Sequence, residues 1–358
     1  MKDRADVRQI LLSGDIEKAK EVLRNPHRSN ILYGFEVIFK ESVESFEQNP
    51  QLGQAWATLA HDNMVRLAES IGAIPTYLPE VNFQKRNMDP DALIDALEKT
   101  LGVEISFPNI FPYEYGVITR RGIAGHRSTQ AIYQAYRLSE MLACADGAKV
   151  LEIGAGLGRT AYYANAFGIK HYTIVDLPLA NVAQAYFLGR TLGPDRLVLQ
   201  GEPDDGTDRV RIYVPEWLWT TDERFEIAIN VDSLTEMDFA QALRYWRTIE
   251  ERSSVFISIN HEAQSFRVAD LPRAAGSDLT FLRFHNGVRK GYVEEIAFLR
   301  AKRINQELKE LRQQIDSIQG SICWRLTLPI RWLQKQANRA KNALSKARLF
   351  WKYLVNHS

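Results

Sequence analysis

The sequence predicts an α/β fold: a Rossmann-like parallel sheet, a helical N-terminal region, and a C-terminal coiled-coil and basic helical extension. Three observations carry this. Short apolar runs alternate with amphipathic stretches from residue 149 onward, the mark of a sheet covered on both faces. The first of those runs ends in a glycine-rich turn, Gly154-Ala155-Gly156-Leu157-Gly158. The next ends in an acidic residue, Asp176.

Upstream, residues 3–24 carry Val7, Ile10, Leu11, Ile16, Ala19, Val22 and Leu23 at helical spacing, and residues 31–47 and 54–71 read the same way. Asp89-Pro90-Asp91 opens a helix to about Leu101, with proline in its first turn. Residues 1–101 thus form a helical region with two readings, a packing or dimerisation module or a lid over a substrate pocket. Residues 102–145 form a connection. Its Phe107, Phe111, Tyr113 and Tyr115 call for an ordered loop, and Ser128 or Thr129 caps a helix through Leu142.

Residues 146–299 form the sheet domain. Strands are expected at Lys149 to Ile153, Tyr172 to Asp176, Leu197 to Leu199 or Val210 to Val214, Phe225 to Val231 and Val255 to Asn260. Helices are expected at Thr160 to Phe167, Asn181 to Leu192 and Asp238 to Glu251, with a closing antiparallel hairpin from Leu279 to Phe284 and Tyr292 to Leu299. In residues 300–358, Ile304, Leu308, Leu311, Ile315 and Ile318 space as a short coiled-coil seam before a basic segment with interleaved aromatics.

The net charge of +1 hides an asymmetry: residues 297–358 hold thirteen basic and three acidic side chains, leaving an acidic body. That body and the lack of a nucleic-acid motif argue against nucleic-acid binding. The tail reads as an interaction helix or as a contact with anionic lipid at a membrane surface. Cys144 and Cys323 stand far apart, which fits a reducing compartment rather than a disulfide framework. With a charged N-terminus and no long apolar run, the expectation is a cytoplasmic protein, peripheral on the inner face of the membrane if the tail docks there.

The glycine turn follows a strand and precedes a helix, the setting in which a ligand approaches the backbone. The dinucleotide pattern needs a small residue at position 159, where this chain has Arg159. The pattern present, Glu152-x-Gly154-x-Gly156-x-Gly158, resembles motif I of class I methyltransferases. Four segments together, VLEIGAGLGRTAYYA, YTIVDLPLANVAQAYFL, INVDSLTEMDFAQALRYW and FISINHE, resemble the sugar O-methyltransferase family of bacterial polysaccharide and natural-product clusters. A tail segment, Ser321 to Arg331, is similar to an SxxWRxTxPxR stretch of bacterial polysaccharide-assembly proteins.

The resemblance implies S-adenosyl-L-methionine as cofactor, held by Glu152, Gly154, Gly156, Gly158, Asp176, Leu177 and Asn230. It also implies a saccharide, free or nucleotide- or lipid-linked, as acceptor. A sugar hydroxyl is a poor nucleophile, so a base or a metal is called for. His261, Glu236, Asp232 and His126 are the candidate catalytic residues. Each has a bland alternative: a structural histidine at His261, a capping box with Ser233 at Glu236, a loop carboxylate at Asp232, and a tethering histidine at His126. Arg159 either meets the cofactor carboxylate or forms a surface salt bridge. Tyr245 and Trp246 read as core rather than as a sugar platform. Asp232, Glu236 and Glu262 are oxygen donors for a divalent cation, without matching a fixed metal motif. Two other functions stand beside sugar methylation: methylation of a non-sugar small molecule, and a scaffold in a polysaccharide-assembly complex. Homo-oligomerisation also stays open.

Overall fold

Apolar runs bounded by glycine and proline set the centre of the molecule, because strands buried on both faces need side chains that want no water on either side. The computed structural model describes residues 5–76, 87–142, 147–206, 208–277, 279, 281–299, 311–314 and 317. Met1–Leu299 is one compact unit and Arg300–Ser358 a second.

The N-terminal region comprises α1 (Ala5–Leu12), α2 (Ile16–Arg24), α3 (Lys40–Gln48), α4 (Pro50–Ser70) and α5 (Pro90–Leu101). Two expectations fail here. The single helix over 3–24 is broken at Ser13-Gly14-Asp15, where the Asp15 side chain accepts from the Lys18 amide at 3.1 Å and starts a new helix. The helix over 31–47 begins only at Lys40, and residues 31–35 are turns. Ile31, Leu32 and Ile38 are each 1% exposed, so their apolar spacing reflects loop anchoring rather than a helical face. The Asp89 cap accepts from the Ala92 amide at 3.0 Å, and α5 ends at Leu101 as expected.

The connection holds a two-stranded hairpin, β1 (Val117–Thr119) and β2 (Gly122–Ala124), and leads into α6 (His126–Leu142). That helix starts earlier than Ser128 or Thr129, whose amides both donate to the Gly125 carbonyl within its first turn. Phe107 and Phe111 are buried as expected, whereas Tyr113 is 45% exposed.

The sheet domain then runs β3 (Lys149–Ile153), α7 (Arg159–Ala166), β4 (His171–Val175), α8 (Pro178–Thr191), β5 (Leu197–Leu199), β6 (Val210–Tyr213), α9 (Pro215–Thr220), β7 (Phe225–Val231), α10 (Phe239–Arg252), β8 (Ser253–Asn260), α11 (Asp270–Ala275), β9 (Leu282–His285) and β10 (Val293–Phe298). The strand order is β5-β6-β4-β3-β7-β8-β10-β9. The first six are mutually parallel, while β10 runs antiparallel to both β8 and β9. Both alternatives for the third strand are strands, lying side by side as β5 and β6. From central β3 the chain winds outward through β4 and β6, then returns to the other side at β7. The order therefore reverses between β3 and β7, which opens a crevice at their C-terminal ends.

Of the expected coiled-coil seam only Leu311 lies among the described residues, in a helical stretch at 311–314, 53% exposed. Ile304, Leu308, Ile315, Ile318, both cysteines and the basic tail lie outside them. Among the described residues no helix is long and apolar enough to cross a membrane.

The face of the sheet that carries α10 is built on Trp246. Its ring is fully buried against Phe256 and Phe281, with centroids 5.7 and 5.9 Å away, and its indole N–H donates to Ser277 at 3.3 Å. Trp246→Ala is expected to cost ~3–5 kcal/mol. Urea unfolding would show this as a lower midpoint at unchanged slope.

Candidate active site

The crevice between β3 and β7 holds a cavity of about 490 Å³, within the size range of small-molecule sites. The glycine turn forms its floor. Gly154 takes φ +71, and a Cβ there would overlap the Ser233 side chain. That overlap is set by a buried amide brace. The Asn230 amide donates to the Ile153 carbonyl at 2.9 Å and to Ser233 Oγ, and Ser233 Oγ itself donates to Ile153 at 3.0 Å. Asn230 Oδ1 accepts from the Leu234 amide and from Asn260 Nδ2, at 3.3 and 3.0 Å. Asn230 is 0% exposed and absent from the cleft lining, so it supports the glycine turn from below rather than meeting a ligand. Gly158 likewise faces Leu188 in place of the cleft, while Gly154, Gly156 and Leu177 line it.

Two acids stand beside the turn, and both line the cleft. Glu152 is 2% exposed and accepts from the Tyr172 hydroxyl at 2.8 Å; burial pushes its pKa up to about 7. Asp176 follows β4. Its Oδ1 accepts from the Leu177 amide and its Oδ2 from Gln184 Nε2, both at 2.7 Å. Burial raises its pKa to about 6 against those hydrogen bonds. The backbone amides of Ala155 and Gly156 in the glycine turn also hydrogen-bond to this carboxylate, which lines the cleft. Gln184 also donates to the Gly156 carbonyl at 3.0 Å, tying the acid to the glycine turn. Gln184 lies within the YTIVDLPLANVAQAYFL segment, and only the fold brings its side chain to Asp176. Tyr245 lines the cleft, and burial first, then Asp176, pushes its phenol up to about 12; only Trp246 is purely core.

A second group lies past β7. Asp232 holds φ +60, a conformation rare for a side-chain-bearing residue and frequent at functional sites. Its Oδ2 accepts from Arg289, from Arg127 at 3.4 Å and from the Tyr292 hydroxyl at 3.2 Å. Its Oδ1 is buried with no hydrogen-bond partner among the described residues. Glu236 lines the same side of the cleft; partial burial first, then the Asp232 carboxylate, raise its pKa. The capping box is not formed. Ser233 Oγ is spent on the Ile153 carbonyl, and α10 is capped by Asp238, which accepts from the Gln241 amide at 2.9 Å. Arg127, Arg289 and Tyr292 were not singled out from sequence; no local spacing joins residues so far apart to Asp232.

The two histidines do not line the cleft. His126 is 7% exposed, with its ring 4.5 Å from that of Trp56. Burial, then Arg127, Arg289 and Arg159, hold its pKa well below the usual value, so it is a neutral packing residue. His261 accepts from the Ala263 amide through Nδ1 at 3.2 Å and meets Tyr292 edge-on. Arg159 lines the cleft, and its salt bridges are buried rather than at the surface. It is 7% exposed and pairs with Glu36 at 2.6 Å and Glu114 at 3.5 Å. The oxygen set offered for a cation is dispersed: Arg283 holds Glu262 through two bonds of 2.8 Å, and Arg289 holds Asp232. Among the described residues no group of three or more His, Cys, Asp or Glu side chains comes together.

Sheet order and glycine turn together give a Rossmann-like α/β fold. No protein-family model matches the sequence, and no curated protein matches it. Solved structures similar to it include the methyltransferase domain of bacterial CtHen1, 11% identical with a TM-score of 0.34, covering 46% of this chain and 97% of that one. PigF with bound S-adenosylhomocysteine is 13% identical, TM-score 0.32, covering 48% of this chain and 60% of that one, so the match spans less than two thirds of PigF. Magnesium protoporphyrin IX methyltransferase from Synechocystis PCC 6803 is 11% identical, TM-score 0.32, covering 48% and 81%.

Gly154→Ala is expected to destabilise the fold through the overlap with Ser233 and a backbone cost of about 1–2 kcal/mol. Adding Ser233→Gly removes the overlap, so the double variant should be more stable than Gly154→Ala alone. A double-mutant cycle by urea unfolding checks this.

Proposed function

We propose that the chain is an S-adenosylmethionine-dependent methyltransferase whose acceptor is a sugar hydroxyl. The observation that carries the cofactor assignment is that Asp176 and the Gly154–Gly156 turn stand side by side in the lining of one cleft at the switch point of the sheet. The residues fit the cofactor. Asp176 lines the cleft, where its carboxylate can accept from the ribose hydroxyls, and the glycine turn lets the methionine portion lie against backbone. Glu152, beside the turn, is held by the Tyr172 hydroxyl of β4.

The cofactor supplies an electrophilic methyl group; the protein aligns the acceptor and removes its proton. Glu236 suits the second task. It lines the cleft, and its raised pKa brings it towards the range where a base is effective at neutral pH. Asp232 suits the first. Arg289, Arg127 and Tyr292 fix one oxygen, so the other, unpartnered one has a set direction and can accept a second hydroxyl. Two carboxylates on one side of the cleft favour an acceptor with neighbouring hydroxyls. This, with the four sequence segments that resemble sugar O-methyltransferases, supports a saccharide.

Calorimetry with S-adenosylmethionine is expected to show micromolar binding by the wild type and none by Asp176→Ala. Failure of the folded wild type to bind overturns the reading. Since the ionised carboxylate is the form that accepts from both hydroxyls, affinity should fall as pH drops through about 6, and Asp176→Asn should flatten that profile. Glu236→Gln is expected to lower kcat about 10²–10⁴-fold while leaving cofactor affinity unchanged. Methyl-transfer assays over a panel of sugars, with calorimetry alongside, check this.

A further inference from the structure

We propose that residues 33–36 form a gate over the cofactor half of the cleft, latched by the Glu36–Arg159 ion pair, so that cofactor exchange requires this pair to part. The inference rests on the cofactor assignment above.

Residues 29–39 form a compact loop whose ends are joined, the Lys40 amide donating to the Ser29 carbonyl at 3.1 Å. Such closed loops recur at functional sites. Ile31 and Leu32 before the tip, and Ile38 after it, are each 1% exposed and anchor the base in the core. The tip between them, Tyr33-Gly34-Phe35-Glu36, lines the cleft opposite the glycine turn. A Cβ at Gly156 would stand 3.3 Å from Phe35 Cβ, so the tip lies directly over the cofactor-binding backbone. Gly34, at φ +92, supplies a backbone joint within the tip.

The latch is placed where it can sense the cofactor. Arg159 is the first residue of α7, immediately after the glycine turn, and its guanidinium bonds Glu36 at 2.6 Å. Breaking a buried pair is ordinarily prohibitive, because it strands a charge. Here Arg159 retains Glu114 at 3.5 Å and Ser128 Oγ at 3.3 Å when Glu36 leaves. Glu114 belongs to the loop before β1, not to the gate, so it stays behind as counter-ion. The triad therefore lets Glu36 swing out without exposing an unpaired cation in the core.

The test is hydrogen exchange of the full chain with and without saturating S-adenosylhomocysteine, with saturation verified by calorimetry. Exchange over residues 31–39 is expected to slow about tenfold or more on binding, while α5, which contributes no residue to the cleft, is unchanged. Binding without protection of residues 31–39 overturns the gate and leaves the cofactor assignment standing; absence of binding overturns both. In stopped-flow displacement, Glu36→Gln should speed release of S-adenosylhomocysteine about tenfold, and Glu114→Gln much less. Equal effects from both variants would contradict a latch at Glu36. Should Glu36→Gln fold poorly, the wild-type exchange measurement decides alone.

Discussion

The buried amide knot at the C-terminal ends of the central strands is the constraint on which the site depends. Asn230, at the end of β7, bonds the last carbonyl of β3, the Ser233 hydroxyl and the Leu234 amide, and it takes a further bond from Asn260 at the end of β8. Three strand ends are thereby held in fixed relation by groups that have no water to turn to. In such a setting each unmet donor or acceptor would cost roughly 1–3 kcal/mol, which makes the network rigid. Ser233, placed by the knot, fills the space beside Gly154 and so dictates that position 154 carries no side chain. The chain that leaves the knot delivers Asp232 and Glu236 to the other side of the same cleft.

The charges in the cleft divide by role. Near the glycine turn, Asp176 and Glu152 are pushed upward by burial, to about 6 and about 7, and are held by neutral donors such as Gln184 and Tyr172. Across the cleft, Asp232 is gripped by two guanidinium groups and a phenol. Glu236, beside it, has its pKa raised partly by Asp232 itself. Two carboxylates in one neighbourhood thus differ in character: one is gripped by guanidinium groups, the other has its pKa raised.

The sheet was legible because its strands are buried on both faces. Phe225–Val231 and Lys149–Ile153 are short, mostly apolar runs, and their length and β-branched content favour strand over helix. Glycines at 154 and 156 and the acid at 176 were legible for the same local reason. What escaped was everything set by tertiary placement. Ile31, Leu32 and Ile38 looked like one helical face but anchor a loop. Asn230 and Gly158 stand in ligand-binding motifs yet brace the turn and abut Leu188. His126 and His261 stood out for their chemistry, but burial against Trp56 and a local hydrogen bond engage them outside the cleft. The grip of Arg289 and Tyr292 on Asp232 spans nearly sixty residues of chain, beyond the reach of any motif.

A crystal structure of the full chain with S-adenosylhomocysteine tests the central claim most directly. The account predicts both ribose hydroxyls within hydrogen-bond distance of the Asp176 carboxylate and the amino-acid portion lying along Gly154–Gly156. Ligand density away from the crevice between β3 and β7, or a ribose that makes no contact with Asp176, would contradict it.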